Sequence, residues 1–259
     1  MDLKTLQLRV TDLICGNRVV FHHVPKCGGT SVYRALRLSY PTSYHIIDIA
    51  SIYNAIEALN PNATPDEIVH KTIRFREHQL LMLLHADCRC IAGHVRFSNV
   101  AYDKFSPKYT FVTTLRDPVD FFVSMFLFNV SGDQQRWKID QDVQAFLDTP
   151  RAASFGATFA SFFSGLPSEV DPASPESIEA AKENLRKFAV VGMTDDMPSF
   201  ERRLRSLLGV RLRIGHQNKA RVERSERVEL VDPAVVRKIE QLSAANMEIY
   251  EFARGLAKA

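Results

Sequence analysis

The sequence predicts an α/β fold: a single domain with a central parallel β-sheet flanked by helices. Short apolar, β-branched runs alternate along the chain with longer amphipathic segments, which is typical of βαβ units. The length of 259 residues suits one large domain of this kind. A hydrophobic content of 46% and a charged content of 24% are those of an ordinary globular protein with a full core.

Each element has its own local signal. The predicted strands are 18–24, 88–94, 108–115 and 188–194. The predicted helices are 30–40, 51–59, 64–87, 118–130, 140–148, 152–164, 175–188, 198–208 and 233–254. Thr64, Pro65 and Glu67 have the spacing of a capping box with proline at the first helical position, and Gly209 marks a helix end. We expect one domain over 1–259, with 131–187 as a helical insertion.

Composition narrows the range of possible ligands, cofactors and cellular locations. The net charge of +3 favours an anionic ligand and is too small to indicate nucleic acid. No apolar run reaches the ~18 residues of a membrane span, and charges interrupt the first residues where a signal peptide would be apolar. The four cysteines show no zinc-ligand spacing and are expected to be reduced thiols. These features predict a cytoplasmic protein without a metal.

The segment HVPKCGGTS (23–31) predicts an anion-binding turn at the carboxyl end of the first strand. Gly28 and Gly29 allow a tight turn whose backbone N–H groups face one anion. The following helix adds its N-terminal N–H groups, Thr30 and Ser31 add hydroxyls, and Lys26 adds a full charge. A plain strand–turn–helix corner with a surface lysine is the alternative.

Two common nucleotide motifs are absent. A Walker A loop places lysine after its glycines, whereas Lys26 precedes them, and no GxGxxG pattern occurs. The residues of this turn alone also allow two other functions. The first is an ATP-dependent phosphotransferase with an atypical phosphate loop, and the second is a non-catalytic module that binds nucleotides or glycans.

The segment HVPKCGGTSV resembles the 5′-phosphosulfate loop of sulfotransferases that use 3′-phosphoadenosine 5′-phosphosulfate (PAPS). It is most similar to the carbohydrate type related to heparan sulfate 2-O-sulfotransferases, whose fold is like that of P-loop NTPases. The resemblance implies that Lys26 and the residues Cys27 to Ser31 bind PAPS. Cys27 stands where the family commonly has threonine. Beside a helix N-terminus it is either an acidified, oxidisable thiol or a small residue that fills space.

A second segment, TLRDPVDFFVSMF (114–126), resembles the family's 3′-phosphate motif. The resemblance implies that Arg116 and Ser124 bind this phosphate, for which a guanidinium fork is suited. Phe121 departs from the family, where arginine is frequent. The alternative is a local ion pair between Arg116 and Asp117.

A third segment, IAGHVRFSNV (91–100), ends a strand in Gly-His. The resemblance implies that His94 is the catalytic base, and a neutral imidazole suits removal of a hydroxyl proton. Lys26 would stabilise charge on the leaving phosphate. His22 and His23 lie within a strand, one facing each side of the sheet, and are expected to be core or supporting residues.

The basic segment 216–224 falls where relatives contact PAPS, so Lys219 and Arg221 are further candidates, with a solvated charged loop as the alternative. The resemblance implies sulfuryl transfer from PAPS to a hydroxyl, with 3′-phosphoadenosine 5′-phosphate (PAP) as product. It implies an acceptor that is a glycan, a glycolipid or a small hydroxylated metabolite.

Overall fold

A computed structural model of the chain describes residues 17–131, 137–215 and 232–258. Lys219 and Arg221 lie outside these ranges. The described part is an α/β structure, as the sequence predicts. Within it, no helix is both long and apolar enough to cross a membrane.

The sheet has five strands, all parallel, in the order β2-β3-β1-β4-β5. They are β1 (Val19–His23), β2 (Tyr44–Ile47), β3 (Cys90–Gly93), β4 (Thr110–Leu115) and β5 (Val190–Met193). Every residue of β1 is buried, because this strand is central and covered on both faces. Four strands were predicted, and β2, a short and partly exposed edge strand, was not.

Twelve helices are described around the sheet. They are α1 (Gly29–Ser39), α2 (Ile49–Leu59), α3 (Pro65–His85), α4 (Asn99–Phe105), α5 (Pro118–Val130), α6 (Val143–Leu147), α7 (Pro150–Gly156), α8 (Thr158–Phe163), α9 (Pro175–Leu185), α10 (Met197–Leu208), α11 (Pro233–Leu242) and α12 (Ala244–Lys258). The capping box of Thr64 and Glu67 opens α3 as predicted, and Gly209, at φ 66°, ends α10.

The structure corrects two helix predictions and adds one helix. The segment 152–164, expected as one helix, lies in two, α7 and α8. A close approach accompanies the break, since a Cβ at Gly156 would lie 1.9 Å from the carbonyl oxygen of Leu242. The segment 233–254 is also divided, at the buried Ser243. Helix α4, capped by Ser98, was not predicted.

Two apolar layers cover the faces of the sheet. One contains Val20 and Ile91 and packs under α3, α8, α9 and α12. The other contains Val19 and Phe21 and packs under α1 and α10. A third cluster joins α5, α6, α7 and α11. The described residues of 137–187 are helices and loops without a strand.

Candidate functional site

Three loops meet at the carboxyl edge of the sheet. Strand β1 lies between β3 and β4, with His22 opposite Gly93 and His23 opposite Thr114. The segments that follow these three strands therefore leave the same edge side by side. Strands β2 and β3 lie on one side of β1, and β4 and β5 lie on the other. The strand order therefore reverses at β1, and ligands bind at such a switch point in parallel sheets.

The turn after β1 has left-handed backbone at two positions. Gly28 has φ 77°, which glycine adopts without a steric cost, and Lys26 has φ 59° despite its side chain. Gly28 precedes α1 and offers no side-chain cap, so the N-terminal N–H groups of this helix have no side-chain acceptor. Thr30 is exposed and Ser31 half-buried in the first turn. This arrangement is able to receive an anion.

Gly29 serves a different purpose from Gly28. A Cβ at Gly29 would lie 1.9 Å from two ring atoms of His23, so only glycine leaves room for this imidazole. The ring also contacts Tyr33, whose hydroxyl is 2.8 Å from Nδ1 of His23. His23 is thus packed against the start of α1, inside the anion-binding turn.

Cys27 stabilises the turn. Its side chain is fully buried, its N–H donates to the carbonyl of Val24 at 3.3 Å, and its own carbonyl accepts from Oγ1 of Thr114 at 2.7 Å. Burial raises the pKa of the thiol, although the nearby charge and backbone N–H of Arg116 oppose this rise. The acidified-thiol interpretation of Cys27 is therefore wrong. The residue ties the turn to β4, and its N–H is not available to a ligand.

Lys26 and Arg116 lie close together. Burial and then the charge of Arg116 lower the pKa of Lys26, as expected for two cations that lie near one another. Nζ of Lys26 is 4.2 Å from the ring centroid of Phe128 on α5. The β1 turn and the β4 turn thus bring two positive charges to one side of the switch point.

Helix α5 positions residues of the second predicted segment, 114–126. Arg116 reaches Oδ2 of Asp120 at 3.7 Å, whereas Asp117 caps the helix by accepting from two N–H groups. The alternative ion pair between Arg116 and Asp117 is therefore not the one found. Asp120, Ser124 and Phe128 are spaced by four residues and share one face of α5. Ser124 is half-buried. It lies on this face between Asp120, which contacts Arg116, and Phe128, which contacts Lys26.

Phe121, in the first turn of α5, is a core residue. It is fully buried, and its ring centroid is 5.2 Å from that of Phe159 in the core. The position where relatives have arginine is here part of the apolar layer. The side chain therefore contributes to packing.

His94 follows β3 at the same edge. Its Nδ1 is 2.7 Å from the carbonyl oxygen of His23. Because a carbonyl only accepts hydrogen bonds, Nδ1 carries the proton and Nε2 keeps its lone pair. Burial lowers the pKa of His94 to about 4, although the bond to His23 opposes this shift. The imidazole is therefore neutral near pH 7, with Nε2 available as a base.

The two strand histidines face opposite sides, as expected, but only one is a core residue. His22 is enclosed by Phe97, Phe111 and Phe188. His23 instead stacks on His94, with ring centroids 4.1 Å apart. The charges of His94 and Lys26, after burial, lower the pKa of His23, so His23 lies near both.

Sequence reasoning missed Arg76 on α3. Its Nη1 donates to the carbonyl oxygen of His94 at 2.5 Å, which fixes the backbone at the imidazole. No local pattern marks this residue, because the contact joins segments 18 residues apart in different elements. Within residues 17–131, 137–215 and 232–258, no group of three or more His, Cys, Asp or Glu side chains is placed to hold a metal ion.

The sequence is similar to known proteins over most of its length. A family model described as the sulfotransferase family matches residues 15–253. A curated Drosophila melanogaster protein described as heparin sulfate O-sulfotransferase is 26% identical over 255 residues. The match covers 91% of this chain and 70% of the fly protein.

Proposed function

Because the chain belongs to the sulfotransferase family, we propose that it transfers a sulfuryl group from PAPS to a hydroxyl of a carbohydrate. Family membership makes it an enzyme that uses a sulfonate donor. The choice of PAPS rests on the arrangement of Lys26 and Arg116 around the uncapped start of α1. A carbohydrate acceptor is supported by the similarity to the fly protein.

The residues present fit a nucleotide with two phosphate groups. In the proposal, Lys26 and the free N–H groups at residues 28–31 hold the 5′-phosphosulfate, with Thr30 and Ser31 as further donors. Arg116 and Ser124 hold the 3′-phosphate. Two cations on adjacent loops suit two separate phosphates, since a guanidinium fork and an ammonium each pair with one. Lys219 and Arg221 remain predicted contacts to PAPS.

Transfer follows the logic of phosphoryl transfer, with charge stabilised on both flanks of the moving group. The acceptor oxygen forms a bond to sulfur while the bond from sulfur to the 5′-phosphate oxygen breaks. Nε2 of His94 takes the hydroxyl proton, and Lys26 stabilises the charge left on the phosphate of PAP. The carbonyl of His23 holds His94 in the tautomer this step requires. The proposal uses no metal.

The first test removes Nε2 of His94 and little else. In His94→Asn, the amide nitrogen lies near the former Nδ1 and keeps a donor toward the carbonyl of His23. We expect PAP binding, measured by calorimetry, to be unchanged and sulfate transfer from radiolabelled PAPS to fall about 10²–10⁴-fold, as for a lost general base. His70→Asn, at an exposed position of α3, is the control. Loss of PAP binding together with transfer would contradict the role of His94.

The second test removes the charge at the turn. Lys26→Ala keeps a Cβ at the left-handed position, so backbone strain is little changed. We expect a loss on the order of 2–4 kcal/mol in transition-state stabilisation, by analogy with a lost oxyanion donor, seen in kcat/KM for PAPS. Lys238→Ala removes an exposed lysine as the control. Near-normal turnover in Lys26→Ala would rule out its proposed role.

Cytoplasmic residence also remains a prediction. The cysteines in the described part of the chain, Cys27, Cys88 and Cys90, are buried free thiols. Unpaired thiols are usual in a reducing compartment. Fractionation of cells that express the tagged protein would test this location.

A further inference from the structure

The ring of His23 lies between the anion-binding turn and the proposed base. The ring packs on Gly29, where a Cβ would lie 1.9 Å from Nε2 and Cδ2 and 2.3 Å from Cε1. It also stacks on His94, with the ring centroids 4.1 Å apart and the planes inclined by 27°. In the proposed transfer, the sulfuryl group moves from the phosphate at the turn to the hydroxyl at the base. His23 therefore lies beside this path.

The two ring nitrogens of His23 differ in their surroundings. Nδ1 is 2.8 Å from the hydroxyl oxygen of Tyr33, a half-buried residue of α1. No hydrogen bond of Nε2 is found within residues 17–131, 137–215 and 232–258. The residue is only 6% exposed, yet Nε2 is not fully buried, unlike Nε2 of His22. Nε2 of His23 is thus an accessible, unpaired polar atom on a side chain that is otherwise enclosed.

The contact with Tyr33 determines which nitrogen of His23 carries the proton. Burial raises the pKa of the Tyr33 phenol well above its usual value, so the hydroxyl keeps its proton near pH 7. In the part of the chain that the structure describes, Nδ1 of His23 is the one hydrogen-bond partner found for this hydroxyl. When the hydroxyl donates to Nδ1, the proton of the neutral imidazole is on Nε2. The opposite tautomer would leave the hydroxyl proton without that acceptor.

We propose that His23 is a second catalytic histidine, whose Nε2–H donates a hydrogen bond to an oxygen of the sulfuryl group during transfer. Lys26 acts on the leaving phosphate and His94 on the acceptor hydroxyl, and His23 acts on the group that moves between them. His23 neither gains nor loses a proton in this step. A donor that is fixed in place before the reaction stabilises charge in the transition state without reorganisation. The role rests on the proposed function, since it assumes a sulfuryl group at the turn.

NMR of the histidine nitrogens tests the tautomer and the contact without turnover. In protein whose histidine nitrogens are isotope-labelled, protonated and unprotonated ring nitrogens give separate signals, and His23→Gln identifies those of His23. We expect Nε2 of His23 to be the protonated nitrogen near pH 7. Intact PAPS, added without an acceptor, should shift this signal, and PAP, which lacks the sulfuryl group, should shift it less. An unprotonated Nε2, or equal shifts with both nucleotides, would overturn the role of His23.

Three variants test the catalytic effect. His23→Leu removes the donor at similar size, and we expect kcat to fall about 10²–10³-fold, as for a lost oxyanion donor, with the Kd of PAP unchanged. His23→Gln places an amide N–H near the position of Nε2 and should recover much of this loss. Tyr33→Phe removes the hydroxyl that fixes the tautomer, so kcat should be intermediate and the protonated Nε2 signal of His23 weaker. Tyr102→Phe, at another half-buried tyrosine, is the control.

The outcomes separate this role from a structural one and from the proposed function. A side chain that only packs would lower kcat equally in His23→Leu and His23→Gln, and that result would overturn the catalytic role. Wild-type turnover in His23→Leu would overturn it as well. In both cases the wild type still binds PAP and transfers sulfate, so the proposed function stands. Failure of the wild type to bind PAP and to transfer sulfate would overturn the proposed function, and the role of His23 with it.

Discussion

Gly29 shows how one residue can decide the geometry of the site. Its missing side chain is where the imidazole of His23 lies, and that imidazole stacks on His94. Tyr33 holds the same ring from a third side. The position of the proposed base thus depends on a residue that has no side chain.

Gly29→Ala should therefore harm both stability and transfer. The added Cβ would overlap the His23 ring, and such overpacking costs about 1–3 kcal/mol. Urea unfolding should show this loss, and turnover should fall because His94 is displaced. Gly255→Ala is the matched control, since a Cβ there meets no atom within 4 Å, and alanine favours a helix by up to about 1 kcal/mol. A Gly29→Ala enzyme with wild-type stability and turnover would refute this account of His23.

The site residues were predictable to different degrees. Lys26, the two glycines, Arg116 and His94 stand directly after apolar runs, so a parallel sheet must bring them to one edge. The roles of His23 and Arg76 were not predictable. Strand alternation gives the face that His23 occupies but not its neighbour, and Arg76 meets His94 only through tertiary packing. Cys27 was ambiguous because burial, which decides its reactivity, is not visible in the sequence.

At the scale of elements, α5 carries residues of the proposed donor site. Its N-terminus is fixed by Asp117, and one of its faces presents Asp120, Ser124 and Phe128 in successive turns. The exposed ring of Phe128 lies under the ammonium group of Lys26. The helix therefore restricts the motion of a lysine that belongs to another loop.

Phe128→Leu should weaken donor binding. Loss of the cation–π contact removes about 1 kcal/mol, or roughly a fivefold increase in the Kd of PAP, because Lys26 must then be ordered on binding. Calorimetry with PAP measures this change. Phe75→Leu, at another exposed phenylalanine, should leave the Kd unchanged. Unchanged or tighter PAP binding by Phe128→Leu would mean that the ring does not position Lys26 for the ligand.

Long elements with clear caps were predictable, and short ones were not. The capping box of α3 and the αL glycine after α10 are local signals that the structure reproduces. Strand β2 has four residues, two of them exposed, so it lacks an apolar run. The seven-residue α4 and the division at Ser243 depend on neighbouring elements. Propensity alone cannot reveal such boundaries.

At the scale of the whole molecule, the central strand connects the site to both apolar layers. His22 faces one layer and His23 the other. Nε2 of His22 is buried without a hydrogen-bond partner, while Nδ1 contacts the carbonyl of Val95 at 3.1 Å. Burial lowers the pKa of His22 to about 4. The core is thus built around a histidine that must stay neutral.

This histidine should make the fold sensitive to acid. Its pKa is about 6.5 when unfolded and about 4 when folded, so the unfolded state binds more protons between these values. The free energy of unfolding therefore falls as the pH falls through this window and is constant above it. From pH 7 to pH 5 we expect His22 to contribute a loss of about 2 kcal/mol.

The measurement compares urea unfolding of the wild type and His22→Phe at both pH values. The variant loses the contact to Val95, so its stability at pH 7 should also be lower. The informative quantity is the difference between pH 7 and pH 5, which should shrink by about 2 kcal/mol in His22→Phe. An unchanged difference would show that His22 is not a source of the acid sensitivity.

Lys26, His94 and Arg116 all follow strands, so the amino edge of the sheet lies opposite to them. Pro107 and Lys108 are exposed there, in the turn that leads into β4. A linker attached at this turn would leave the molecule at the amino edge of the sheet, opposite the candidate site. Protein immobilised on a resin through such a linker would present the carboxyl edge of the sheet, where the candidate site lies, to the solution.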